Sequence, residues 1–363
     1  MRPSDRLVAE ALHTHAETLC ARALALLIRR DPSVESRYAD GARAWSCAMR
    51  EILKHLTEAV AANRSALFAL YATAPHPEFI GHELNCSDVR SAIECLREVV
   101  AEDMSHEVAG PALKLLDAVL ATPVRESDAI EQTVRSRDAN ATLAQTYLLQ
   151  LLQRDQTAAA NVIFEAQRAG KFIVELYESV ITPALSEVGR MWQIREASVA
   201  DEHYCASVTH MIMSQLKARA QQKVSTGKRV LAVSVGDDLN DVGIRMFADY
   251  FEMNGWSSSY LGSSMPADEI IASLTNSLGS GGIDLLVVST GLSNSVRRVA
   301  DLIAAVRCHP TARLTPILVS GTPFATVNDL WEVVGADGFA RNAHAALVIA
   351  ARGGPSDLGR SVL

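Results

Sequence analysis

The sequence predicts a multidomain protein of α and α/β class: an N-terminal all-α domain, a four-helix bundle, and a C-terminal doubly wound parallel sheet. Three observations carry that prediction. Apolar residues recur at intervals of three and four from about Asp5 to Leu120 and again from about Ala139 to Lys223, the stripe of amphipathic helices. From Lys228 onward, short apolar runs alternate with helical stretches, the order that gives a parallel sheet covered on both faces. The first of these runs ends in Gly236-Asp237-Asp238-Leu239-Asn240-Asp241-Val242-Gly243, an acidic turn before a helix. Such a turn is the ligand-facing corner of an open α/β sheet.

Taken in order, the first block spans 1–121, with helical stripes such as Leu19, Ala23, Leu26, Leu27 and Ile52, Leu56, Ala59, Val60. Breaks between its helices are expected at Asp31-Pro32, Ala74-Pro75-His76-Pro77 and Gly110-Pro111, because proline removes a donor and disfavours helical geometry before it. The polar stretch 122–138 reads as a linker. The second block, 139–224, has room for about four helices, with Gly170 as a helix stop and Thr182-Pro183 interrupting the third helix. In the third block, 228–353, strands are expected at Val230–Val235, Ser257–Leu261, Leu285–Ser289, Pro316–Val319 and Gly338-Phe339. Helices fall between them at Ile244–Asn254, Ala267–Leu278, Val296–Arg307, Val327–Val334 and Ala343–Ala351.

Composition narrows the function. The 363 residues are 48% hydrophobic and carry a net charge of -8 without a Lys/Arg cluster, so no electrostatic footprint for direct nucleic-acid binding is visible. No secretory pattern opens the chain and no run approaches the ~18 apolar residues of a membrane span, so a cytoplasmic protein with no membrane partner is expected. The six cysteines lack zinc or disulfide spacing, and most read as small buried residues. The histidines of the first block follow no metal-binding spacing.

Three landmarks now bear on function. Val188-Gly189-Arg190-Met191-Trp192 precedes Ala197-Ser198-Val199-Ala200-Asp201-Glu202-His203, the turn after the first expected strand holds Asp238 to Gly243, and later strand ends read Ser289-Thr290-Gly291 and Ser320-Gly321-Thr322. Together, over about 139–350, they resemble the cobalamin-binding module that pairs a four-helix cap with a flavodoxin-like domain, nearest in pattern to light-responsive cobalamin-dependent regulators. The resemblance implies that Trp192, Val199, Glu202 and His203 face the upper side of a corrin and its adenosyl group. It places Asp238, Leu239, Asn240 and Gly243 beneath the ring, and Ser289, Gly291, Ser320, Gly321 and Thr322 around the nucleotide tail. The chain departs from the family pattern where Asn240 stands for the cobalt-binding histidine, Gly291 for a leucine and Ser320 for a glycine; Gln193 follows Trp192 where light-responsive repressors place a histidine.

An asparagine amide is a much poorer ligand than imidazole for a borderline transition metal, so bound cobalamin would lack a protein ligand from position 240. The alternative pocket occupant is heme or biliverdin, with His203 as possible axial ligand to heme. Plainer roles stand beside these. Trp192 and His203 also suit helix packing, Asp238 and Asn240 suit helix capping, and Gly243 suits either close ligand approach or close helix packing. The turn lacks dinucleotide and phosphate-loop spacing, and Ser289 stands where a receiver domain needs aspartate. The expected function is therefore a non-enzymatic tetrapyrrole-binding sensor, most simply a cobalamin-type photoreceptor, with the first block as a sensor or dimerisation unit or a second bilin site. Its ligand state would alter a protein partner or a homo-oligomer. The alternative is a corrinoid carrier for methyl transfer.

Overall fold

The computed structural model describes residues 1–38, 40–72, 86–122, 138–193, 196–220, 223–236, 241–275 and 282–351. The chain forms two compact units: Met1–Glu126 with Leu292–Ala300 and Thr322–Gly335, and Ser127–Gly291 with Asp301–Gly321 and Ala336–Leu363. The proposed linker at 122–138 lies mostly outside the described residues, as does the break at Ala74–Pro77.

The first unit is built on helices α1 (Pro3–Thr14), α2 (Ala16–Arg30), α3 (Gly41–Ala62), α4 (Ser65–Ala72), α5 (Cys86–Asp103) and α6 (His106–Leu120). Its core runs along α3, where Trp45, Met49, Ile52 and Leu56 are fully buried. α2 stops at Arg30 before Asp31-Pro32, as expected. Gly110-Pro111 does not break the chain: Pro111 lies inside α6. The clash that normally ends a helix before proline involves the preceding residue's Cβ, and Gly110 has none; open space surrounds the position where one would be built. What remains is the loss of one backbone donor and the ring's crowding of the Glu107 carbonyl one turn back.

Within this unit Glu58, 4% exposed, accepts a hydrogen bond from the Arg297 backbone N–H at 2.8 Å and pairs with the Arg297 guanidinium at 3.3 Å. Burial dominates, pushing the carboxyl up to about 7 against the pull of Arg297, Arg298 and Lys54. The folded unit thus holds a proton that the unfolded chain, near 4.5, has released. Stability from this group is present on the acidic side and is lost as pH rises through about 7. Glu58→Gln, neutral at every pH, should raise the melting temperature at pH 8 by roughly 5 °C and leave it nearly unchanged at pH 5. Equal melting of the two proteins at both pH values would contradict this account.

The second unit begins with a helical cap: α7 (Ala139–Leu152), α8 (Gln156–Arg168), α9 (Ile173–Leu176), a π-helical turn (Tyr177–Ile181), α10 (Thr182–Gln193) and α11 (Val199–Ala218). Asp138 and Asp155 start α7 and α8 by accepting from Ala141 and Ala158 backbone N–H groups. Gly170, with φ of +100°, follows α8 in the left-handed conformation expected of a helix stop. Thr182-Pro183 does not interrupt the third helix; it widens it. Proline cannot donate to the preceding turn, the local pitch opens into the π-helical turn, and the Thr182 hydroxyl donates to the Tyr177 carbonyl at 2.9 Å.

The sheet follows in alternation with helices: β1 (Arg229–Ser234), α12 (Val242–Met253), β2 (Ser257–Tyr260), α13 (Ala267–Thr275), β3 (Leu285–Ser289), α14 (Val296–Cys308), β4 (Ile317–Ser320), α15 (Thr322–Thr326), α16 (Leu330–Val334), β5 (Gly338–Phe339) and α17 (Ala343–Ala351). The five strands are parallel in the order β2-β1-β3-β4-β5. The doubly wound sheet is as expected, with strand boundaries shifted by one residue in β1, β2 and β4 and matched in β3 and β5. Val230, Ala232, Leu285, Val287 and Leu318 pack with Phe247, Phe251 and Ala346 from α12 and α17 on one face. The alternate residues Leu231, Val233, Leu286, Val288, Ile317 and Val319 are buried too, so both faces are covered. No described helix is long and apolar enough to cross a membrane.

Candidate functional site

The strand order reverses between β1 and β3, and crevices at such a reversal form outside the carboxyl ends of the strands. In register there, Ser234 pairs with Ser289 and Ser289 with Ser320. Strand side chains alternate between faces, so this row extends the face on which Ala232, Val287 and Leu318 meet α12 and α17. Three small hydroxyl-bearing residues thus replace the branched apolar ones at the end of the sheet. Ser234 and Ser320 are each 3% exposed, and the Ser234 hydroxyl donates to the Ser289 carbonyl at 3.4 Å.

Gly321, directly after this row, has φ of +107°, and a Cβ there would sit 1.9 Å from the Thr290 carbonyl oxygen. The two strand ends approach so closely that only glycine fits. Gly243, the second residue of α12, is exposed and has nothing within 4 Å of its would-be Cβ. Helix packing therefore does not require this glycine, and the space beside it is open. Gly291 and Thr322 are exposed. Asp238, Leu239 and Asn240 lie outside the described residues.

Four further candidates share one end of the cap. Trp192 is in the last turn of α10, while Val199, Glu202 and His203 lie in the first turns of α11. A capping box fixes the start of α11: Ser198 accepts from the Asp201 N–H at 3.2 Å and Asp201 accepts from the Ser198 N–H at 3.0 Å. The Ser198 hydroxyl, donating to the Asp201 carboxylate at 2.6 Å, then the Ser198 N–H and Arg154 at 3.0 Å, hold that carboxyl down at about 2. The box anchors the turn that presents Glu202 and His203. His203 is exposed, Val199 is 50% exposed, and Trp192 is half-buried.

Sequence reasoning missed the residues that join cap to sheet. His210 on α11 meets an Asp241 carboxylate oxygen at 2.7 Å through Nε2, and the Tyr260 hydroxyl at the end of β2 donates to the other oxygen. Burial pushes the Asp241 carboxyl up, but hydrogen bonds from His210 and Tyr260 outweigh it and leave the carboxyl below its ordinary range. Below, Asp249 of α12, 1% exposed, accepts from Tyr177 at 3.2 Å and pairs with Arg245 at 3.1 Å and Lys217 at 3.3 Å. Apolar Val242 and Met246 of α12 complete the cap core around Tyr147, Tyr177 and Ile212. His203 lies seven residues before His210 on a similar face of α11, about 10 Å along the axis. The helix touches the sheet at His210 and leaves its His203 end open.

This arrangement fits a large ligand better than a bare ion. Exposed His203 and Val199 with half-buried Trp192 provide a mixed apolar and polar surface, while the serine row and Gly321 make the strand ends polar and closely spaced. Among the described residues no group of three or more His, Cys, Asp and Glu stands ready to hold a metal ion.

Comparison with known proteins agrees with this division. Two family models, both described as a B12 binding domain, match residues 143–217 and 228–348. Among solved structures, the monomethylamine corrinoid protein of Methanosarcina barkeri matches with a TM-score of 0.51 at 18% identity, covering 59% of this chain and 100% of its own. A cobalamin-binding protein from Desulfitobacterium hafniense DCB-2 matches with a TM-score of 0.31 at 18% identity over 58% of this chain and 97% of its own. The methanol:cobalamin methyltransferase complex of Methanosarcina barkeri gives 0.32 at 15% identity over 67% and 92%. No curated protein matches the sequence.

Proposed function

Residues 143–217 and 228–348 belong to the cobalamin-binding domain family, and from that premise we propose that this chain is a corrinoid carrier that presents cobalamin to a separate methyl-transferring protein. The observation that carries the reading is the pairing, in one compact unit, of the serine-lined strand ends with the end of the cap that bears half-buried Trp192 and exposed His203. Bound cobalamin would supply a cobalt centre able to carry an alkyl group. The chain's residues bind and orient it: Ser234, Ser289, Ser320 and Gly321 lie at the strand ends that take the slender nucleotide tail, and Trp192 and Val199 cover apolar surface from the cap. Glu202 and His203 offer hydrogen-bonding groups at the same end. Asn240 offers only an amide, so position 240 supplies no strong cobalt ligand. The carrier itself has no catalytic residue in this reading. Cobalamin is preferred to heme or biliverdin because both family models describe that ligand. The fold shared with the monomethylamine corrinoid protein adds support for carriage rather than sensing.

A second reading, a cobalamin-type photoreceptor, draws on Trp192 and Glu202-His203 at one end of the cap, the pattern of light-responsive relatives. Absorption spectra separate the two. Protein loaded with methylcobalamin in darkness and then mixed with cell extract should lose its methylcobalamin band only when extract is present. A spectrum of the adenosylcobalamin-loaded protein that changes persistently on illumination, with no methyl loss to extract, would establish the photoreceptor instead. No retained cobalamin would exclude both.

Trp192→Ala tests the cover. It should weaken binding of adenosylcobalamin roughly tenfold more than of hydroxocobalamin in absorbance titrations, since only the former carries a bulky upper group for the indole to cover. Equal weakening would assign Trp192 to cap packing.

A further inference from the structure

The N-terminal unit keeps two ionisable side chains away from water on one face of α3. His55 and Glu58 are each 4% exposed, stand three residues apart, and both bond to the segment 292–297, which belongs to the same compact unit. His55 Nδ1 meets the Ser293 hydroxyl at 2.9 Å, and its ring stacks on Tyr71 of α4 with centroids 3.9 Å apart. Glu58 accepts from the Arg297 backbone N–H at 2.8 Å and pairs with the same residue's guanidinium at 3.3 Å. Ser293 opens the 3-10 turn Ser293–Ser295, and Arg297 is the second residue of α14. The first N–H groups of a helix have no acceptor inside it, so Glu58 caps α14 from another helix.

A capping carboxylate ordinarily sits at the surface, where water shares its charge. Here the charge is answered by Arg297 and Arg298 of α14 and by Lys54, one turn back on α3. Lys54 is shared with Glu51 at 3.6 Å, and Asp329, just before α16, is paired with Arg64. Tyr71 of α4 lies in the stack on His55. Both bonds from Glu58 to the segment end on Arg297, so lifting that one residue would return the carboxylate to water.

We propose that Glu58 is a proton-operated latch within the N-terminal unit: carrying a proton it keeps residues 292–297 seated on α3, and on losing that proton it favours their release. The inference goes beyond the corrinoid reading and does not depend on it. Ionisation leaves a charge in a place that excludes water, and only the neighbouring cations offset that cost. Burial still wins while the segment is seated, which pushes the carboxyl up to about 7. Once the segment lifts, water reaches the carboxylate and it returns to its ordinary range near 4.5. The seated form therefore binds the proton more tightly, and release is favoured as pH rises through about 7. With those two values the opening equilibrium grows about tenfold between pH 6 and pH 8.

Hydrogen exchange of the full-length protein reads the opening when it is followed by mass spectrometry across that range and corrected for the chemical exchange rate. Peptides covering 292–297 should lose protection about tenfold from pH 6 to pH 8. They should also exchange roughly tenfold or more faster than Trp45–Leu56 in the core of α3. Glu58→Gln carries no charge at any pH, so its protection at 292–297 should be flat. Arg297→Gln keeps the backbone N–H and removes the guanidinium that favours the carboxylate, so the fall should steepen beyond the native one. The Arg297 side chain is 28% accessible, and folding is not at stake there.

Equal slopes in the native and Glu58→Gln proteins would overturn the latch and assign the dependence to another group, His55 being the nearest. Equal protection of 292–297 and Trp45–Leu56 would overturn it as well, since the segment would then open only with the whole unit. If Glu58→Gln does not fold, Arg297→Gln decides: a slope no steeper than native removes the proposal.

Discussion

Asp249→Ala is expected to detach the cap from the sheet and to cost about 3–5 kcal/mol, the usual penalty for removing one partner of a buried ion pair. The carboxylate is 1% exposed and answers three donors: Tyr177 from the π-helical turn of the cap, Lys217 from α11 and Arg245 from its own helix. Without it, Lys217 keeps Glu252 at 3.0 Å, but Arg245 loses this carboxylate beside the apolar core formed by Tyr177, Ile212, Met213 and Met246. The buried phenol also loses its nearer acceptor, leaving the Met213 carbonyl at 3.5 Å; burial and the neighbouring carboxylate already push the Tyr177 hydroxyl well above the ordinary phenol range. Asp249→Asn keeps the shape and one acceptor oxygen but removes the charge, so it should fall between native and alanine. Thermal melting and cobalamin titration check the prediction together. Alanine should lower both, by a shift of roughly 10 °C and a loss of stable binding. Native-like melting of the alanine variant would show that Lys217 and Arg245 find solvent and that the network is dispensable.

Much of this architecture was legible because it depends on local period. Uninterrupted apolar runs at β1, β3 and β4 mark strands buried on both faces, and glycine and proline mark most of the stops. The errors also have local physics. Pro111 was expected to end a helix, yet the glycine before it removes the steric conflict that proline normally creates. Pro183 was expected to interrupt, and the helix answered by widening one turn and enlisting the Thr182 hydroxyl.

The site was legible only in part, because its elements are set by register and by contacts between distant residues. Ser289 and Ser320 could be picked out from their strand ends, but Ser234 gains its place only when β1 is aligned with β3. His210 and Asp241 are 31 residues apart, and Asp241 and Tyr260 are 19 apart, so no short motif links them. One signal was present: His203 and His210 are separated by seven residues on one helix, two turns on a similar face. Glu58 left a different trace, a carboxylate in a helix whose neighbours Leu56, Ala59 and Val60 are all buried. A charged residue inside so apolar a run calls for a partner, and Arg297, 239 positions away, is one that no periodicity could supply.

Gly321→Ala should be the most damaging single methyl group in the sheet domain. Two independent obstacles meet at this residue. Its φ of +107° lies where side chains other than glycine are strained, and the added Cβ would fall 1.9 Å from the Thr290 carbonyl oxygen. Neither is relieved by moving a side chain, because the atom in the way is backbone and that backbone is tied into the sheet: the Thr290 N–H donates to the Ser320 carbonyl at 3.2 Å. The strand ends must part, which disturbs the Ser289–Ser320 register. A cost of about 3 kcal/mol or more is expected from backbone strain and displacement together. If the strand ends hold the nucleotide tail, cobalamin affinity should fall at least a hundredfold, as about 2.7 kcal/mol of misfit requires, while binding of cobinamide, which lacks that tail, should fall far less. Gly243→Ala is the control. Its would-be Cβ meets nothing within 4 Å, so the protein should melt like the native one, and any loss of affinity there would report ligand contact alone. A Gly321→Ala protein with native stability and undiminished preference for cobalamin over cobinamide would mean that the tail does not lie at these strand ends.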